Sequence, residues 1–180
     1  MSAIIQAEVL TKYSVAAAAG NTTAGTAATS LGDQISTTQW TGGSINDLFD
    51  NISGAENAAS DVEYRCIFVH NNNASNTYES VVVYLSAEVG GGAVVAVGAD
   101  TTAESAIGSG SAQALTVANE NTAPSGVSFS SPTTSGTGVA LGDIPPGHCK
   151  AFWVRRTAAN TAALSGDGVT IAVYGDTGSL

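Results

Sequence analysis

Apolar positions along this chain recur with a period of two or in short unbroken runs, and one stretch alone carries a helical period. Residues 62–69 are rich in β-branched and aromatic side chains, and their alternation places Tyr64, Cys66 and Phe68 on one face of an extended chain. Residues 80–86 enclose Val81, Val82, Val83, Tyr84 and Leu85, residues 150–156 enclose Phe152, Trp153 and Val154, and residues 169–174 form a fourth strong strand pattern. Weaker strand patterns cover residues 7–15, 93–97, 113–118 and 126–130.

Turn residues separate these runs. Pro145-Pro146-Gly147-His148 fits a type II turn, because proline presets φ at the second position and glycine accepts a positive φ at the third. The asparagine-rich run from His70 to Asn76 and the segment Ser165-Gly166-Asp167-Gly168 supply further turns. The helical period lies at Ile45, Leu48, Phe49 and Ile52, with Ser44 as N-cap and Asp47 as a weaker capping acid; it predicts one short helix packed on the sheet. About seven or eight short strands with turn signals between them predict an all-β antiparallel sandwich of jelly-roll or immunoglobulin-like type. The length of 180 residues suits one sandwich domain over residues 1–180, in which residues 16–30 form an extended loop or arm. That arm and residues 90–112 are Ala-, Gly-, Ser- and Thr-rich, and are expected to order against a neighbouring subunit.

Charge narrows the partners. Only 11% of residues are charged, against roughly 25% in ordinary soluble domains, and Ser, Thr, Asn and Gly take their place. Such a surface loses little charge hydration when another surface covers it, and interface cores are depleted in charged residues. The net charge of −10 with five basic residues leaves too few cations to neutralise phosphates, so direct nucleic-acid binding is not expected. An anionic membrane surface is disfavoured for the same reason. The first residues lack a basic region followed by an apolar one, so synthesis in the cytoplasm is expected.

Candidate chemistry is sparse. Cys66 and Cys149 read as two small buried thiols, which bridge only if their Cα atoms lie within about 7 Å. Cys66 and His70 share a face but are about 13 Å apart along a strand, too far to ligate one ion. His148 and Cys149 point to opposite faces of a strand. There is no G-x-S-x-G elbow and no Walker A sequence. Asp47, Asp50, Glu56, Asp61 and Glu63 are candidate carboxylate pairs, and Asp100, Glu104 and Asp143 candidate calcium ligands; the bland reading of each is a cap or a solvated acid. Trp40, Trp153 and the tyrosines could stack on sugars. Arg155 and Arg156 present one guanidinium to each face of a strand; they and Arg65 either pair with carboxylates on adjacent strands or reach an acidic partner. No catalytic, cofactor-binding or metal residue is assigned, and the chain is expected not to be an enzyme.

Five segments, in order, carry a likeness: Ser30-Leu31-Gly32-Asp33-Gln34-Ile35-Ser36, Leu48-Phe49-Asp50-Asn51-Ile52-Ser53-Gly54-Ala55-Glu56, the run from Asp61 to Asn71, Ala118-Asn119-Glu120-Asn121-Thr122-Ala123-Pro124, and the run from Ile144 to Arg156. Together they resemble small structural proteins of tailed bacteriophages. The resemblance implies a virion component with a β-sandwich core. Its expected role is a capsid decoration or cement protein on the outer capsid surface, binding the major capsid protein and its own copies as a homotrimer. A tail, baseplate or fibre component is the alternative within the class, and a carbohydrate-binding β-sandwich module the alternative outside it. The resemblance transfers no individual contact residue.

Overall fold

A computed structural model describes residues 3–16, 20–162 and 164–177. Its strands are β1 (Val9–Val15), β2 (Gln34–Gln39), β3 (Val62–Asn71), β4 (Tyr78–Glu88), β5 (Val94–Ala99), β6 (Ser105–Ala106), β7 (Val139–Ile144), β8 (His148–Thr157) and β9 (Val169–Thr177), with one α-helix, α1 (Gly54–Ala59). Two antiparallel sheets pack as a sandwich. One has the order β2-β1-β3-β8-β5, with β6 also pairing β8; the other is β7-β4-β9. The predicted all-β sandwich with one short helix is what forms.

The central strands β3 and β8 are buried on both faces. Ile67, Val69, Phe152 and Val154 point between the sheets and meet Val81, Val83, Leu85, Leu141 and Ile144. Cys66, Phe68, Ala151 and Trp153 point the other way into a second core with Ile35, Ala114 and Val117. Cross-strand neighbours match large with small: Phe68 lies opposite Ala151 and Cys66 opposite Trp153. The second core therefore fills without doubling bulky rings at one level.

The second core is roofed by loops rather than by a sheet. Leu31, Ile107, Leu115, Val127 and Phe129 pack on it, half-buried. The residues predicted as strands at 113–118 and 126–130 belong to this roof, and each makes only an isolated bridge, Gly32 to Thr116 and Val97 to Ser130. Their backbone groups bond mostly to other loops, with Gln113 and Ala114 donating to the Asp33 carbonyl and Val117 to that of Leu31. At that crossing Gly32 has φ of +98°, and a Cβ there would stand 1.7 Å from the Leu115 carbonyl oxygen, so only glycine fits. The described part of the 16–30 stretch lies along β2: Asn21 donates to Ile35 and Thr37 to Thr23. Residues 17–19 are outside the described residues.

Asp100 ties the roof to the sheet. Its carboxylate accepts from the Trp153 indole N–H at 2.6 Å, the Leu115 N–H at 3.0 Å and the Thr102 N–H at 2.7 Å. Lys150 donates to the carbonyls of Asp100, at 2.8 Å, and Thr102. These partners satisfy a carboxylate that is almost fully buried.

Two local expectations shift. The helix predicted from Ser44 does not form. Asn46 takes φ of +61° after two glycines that also have positive φ, Ile45 is 91% exposed, and Leu48 and Phe49 pack on the core from an irregular loop. The helix sits farther on, where Ser53 and Glu56 make a full capping box: Ser53 Oγ accepts from the Glu56 N–H, and the longer Glu56 side chain reaches back to the Ser53 N–H. Strands β2, β6 and β7 were not legible as strong patterns, while the Pro145–Gly147 turn forms as predicted, with Gly147 at φ of +69° and His148 donating to Pro145. Ser53→Ala is expected to lower stability by about 1 kcal/mol, read from the denaturation midpoint.

Candidate interaction surface

The chain's cations are spent internally. Lys12, Arg65 and Lys150 are buried, and Arg155 and Arg156 half-buried. Lys12 donates to Asn21 at 2.6 Å. Arg65 pairs with Glu120. Arg156 bonds Glu63 through Nε at 2.7 Å, lies 3.3 Å from Asp50, and stacks 4.7 Å from the Phe49 ring centre. Arg155 covers the Phe129 ring on the opposite face. The expected pairing with a carboxylate on an adjacent strand holds for Arg156 with Glu63; Arg65 also pairs internally, but with Glu120 on a loop, and Arg155 packs on Phe129 in place of a carboxylate. Exposed charge is therefore acidic: Asp50, Glu88, Asp143, Asp167 and Asp176 face solvent.

The residues weighed for chemistry are mostly dispersed or shut away. Cys66 and Cys149 are free and buried; burial pushes both thiols up, that of Cys149 to about 12. In register, His70 stands directly opposite Cys149, a juxtaposition the sequence could not reveal. The pair forms no hydrogen bond: Cys149 Sγ lies near the Ser105 carbonyl and Gln113 Nε2, and neither His70 ring nitrogen has a partner. His148 pairs with Glu104 at the surface. Asp143 caps the Ser80 N–H at 2.8 Å, and Asp61 accepts from its neighbour Val62 and from Asn121. Glu63 and Asp50 serve Arg156, Glu56 caps α1, and Asp47 Oδ2 is buried without a partner. Burial raises the Glu63 carboxyl despite the nearby Arg156. Among the described residues, no three His, Cys, Asp or Glu side chains converge on a metal position. No helix among them is long and apolar enough to cross a membrane.

Ile45 and Leu164 are exposed singly on loops, whereas the outer face of the three-stranded sheet gathers half-buried and exposed uncharged side chains on regular strands. In β4, Val81, Val83 and Leu85 point inward, so Val82 and Tyr84 point out. Val82 lies opposite Tyr174 on β9 and Ala140 on β7, and Tyr84 lies opposite Ala172. Tyr174 is 50% exposed. These five side chains make an uncharged strip across all three strands. Glu79 and Asp176, opposite each other in register, bound it at one end. No sequence feature singled out this strip, because Val82 and Tyr84 sit inside an apolar run whose two faces look alike until the second sheet is placed.

No family model, no curated protein and no solved structure matches the chain.

Proposed function

We propose that this protein is a structural binding protein of a bacteriophage particle, a decoration or cement protein that covers the outer capsid surface. One observation carries the reading: the chain places all five basic side chains in buried or half-buried internal contacts while leaving a continuous uncharged strip of Val82, Tyr84, Ala140, Ala172 and Tyr174 open on a sheet. A surface of that kind desolvates at low cost and matches the charge-poor, aromatic-containing centre of protein interfaces. Repetition on a symmetric lattice turns weak contacts into stable attachment through avidity. The major capsid protein is the partner, with further contacts between copies, as a homotrimer, closing the layer. The five-segment resemblance to phage structural proteins supports the same class.

The sugar-binding alternative loses one of its stacking rings. Trp153 is fully buried with its indole N–H on Asp100, and Trp40 is half-buried beside β9.

The test is quantitative mass spectrometry of purified particles together with their heat stability. Capsid-scale copy number, and earlier release of contents from particles lacking the protein, are expected. A copy number of only a few per particle places the protein in the tail instead, and unchanged heat stability rules out the cement role. Tyr174→Glu should weaken attachment to particles roughly tenfold or more, since it desolvates a charge at the centre of the strip. Its melting temperature should stay near that of the parent, because the side chain lies outside both cores.

A further inference from the structure

Strand β9 has an open side. It pairs with β4 only, and no other strand lies against it among the described residues. Residues 169–175 contain no charge and no proline, although such residues are the usual protection of a sheet edge. The six-stranded sheet protects its own margins with loops, through Asn21 and Thr37 along β2 and through Ser130 beside β5. The open edge also borders a groove. Opposite Ile171 and Val173 lie Thr11, Trp40 and Phe152, enclosing about 220 Å³. The inward side chains of β9, Val169, Ile171 and Val173, are themselves only half-buried. A strand added beside β9 would gain backbone hydrogen bonds and an apolar floor for its alternate side chains.

Charge at the end of this edge selects the occupant. Glu79 and Asp176 stand directly opposite each other across β4 and β9, a like-charged arrangement that costs stability. No lysine or arginine of the chain bonds to either, since all five serve the contacts described above. We propose that the β9 edge receives an extended, β-branched segment of the partner carrying a cationic residue at one end, which adds as a fourth strand and neutralises the Glu79–Asp176 pair. The proposal deepens, and rests on, the reading of this sheet as the docking surface. A second copy of β9 fits less well. Full-length antiparallel self-pairing sets Asp176 of each copy opposite Thr170 of the other, which brings no cation to the Glu79–Asp176 pair, and it joins two chains that each carry a net charge of −10.

The test uses the full chain, isotope-labelled for NMR, and three synthetic peptides of alternating threonine and valine. One ends in two arginines, one in two glutamates, and the third is the arginine peptide with alternate backbone amides methylated. The arginine peptide is expected to shift the amide signals of β9 and the Trp40 indole signal, and to bind roughly tenfold tighter than the glutamate peptide. Methylation should abolish binding. The double variant E79Q/D176N, checked for a melting temperature no lower than the parent's, should bring the two unmethylated peptides to nearly equal affinity. Equal binding to the parent protein, shifts centred on another surface, undiminished binding of the methylated peptide, or a parent dimer whose interface signals map to β9 would each overturn the proposal. The measurement involves no particles, so it fails or succeeds separately from the capsid reading.

Discussion

Trp153→Ala is expected to destabilise the fold by about 3–5 kcal/mol, and Phe152→Ala by a similar amount. The two rings are sequence neighbours, yet each is fully buried in a different core, Phe152 between the sheets and Trp153 under the loop roof. In an ordinary two-layer sandwich one of the two would face solvent and tolerate truncation. Trp153→Ala also leaves the Asp100 carboxylate short of its indole donor in a buried site. Trp153→Phe keeps most of the packing and removes only that charge-assisted bond, which is worth about 1.5–3 kcal/mol. Because natural domains hold only about 5–15 kcal/mol in total, the double alanine variant should fail to fold. Urea denaturation of the single variants checks both values. A near-neutral result for either alanine would mean that its face of β8 is not closed.

The second large effect is acid sensitivity through His70. Burial, with the Lys12 ammonium adding to it, pushes His70 from its ordinary 6.5 down to about 4. Its two ring nitrogens have no hydrogen-bond partner. The unfolded chain therefore takes up a proton that the folded chain refuses. The stability this group supports is fully present above about pH 6.5 and is lost as pH falls toward about 4. Between pH 7.5 and 4.5 the loss should reach roughly 2–3 kcal/mol. Glu63, whose carboxyl is raised by burial, gives an opposite slope in the lower part of this range. The comparison that isolates His70 is therefore parent against His70→Leu across the whole range. The leucine variant should be as stable as the parent, or more so, at pH 7.5, since the imidazole makes no hydrogen bond there. It should lose most of the downward slope. Parallel pH profiles for the two proteins would show that His70 is not held neutral by its surroundings.

The alternation in residues 62–69 and the apolar runs at 81–85, 150–156 and 169–174 determined the main strands, because side-chain direction repeats every two residues whatever the strand later packs against. The Pro145-Pro146-Gly147 turn was equally local, since proline and glycine restrict φ by themselves. Low charge and few cations also set the kind of surface available before any fold was known. Tertiary structure decided the rest. Only the roof of loops made both faces of β8 interior, so that Phe152 and Trp153 are both core residues. Only the register of β3 on β8 set His70 against Cys149 and Glu63 against Arg156, pairs separated widely along the chain. The short helix formed at the complete Ser53–Glu56 box rather than on the apolar stripe before it, because Leu48 and Phe49 found their burial without helical backbone. The outer strip and the open edge of β9 follow from the placement of the small sheet, which turns one face to the other sheet and has β9 last in the order β7-β4-β9. A pattern of period two fixes which side chains share a face, but which face is covered depends on what the rest of the chain brings to it.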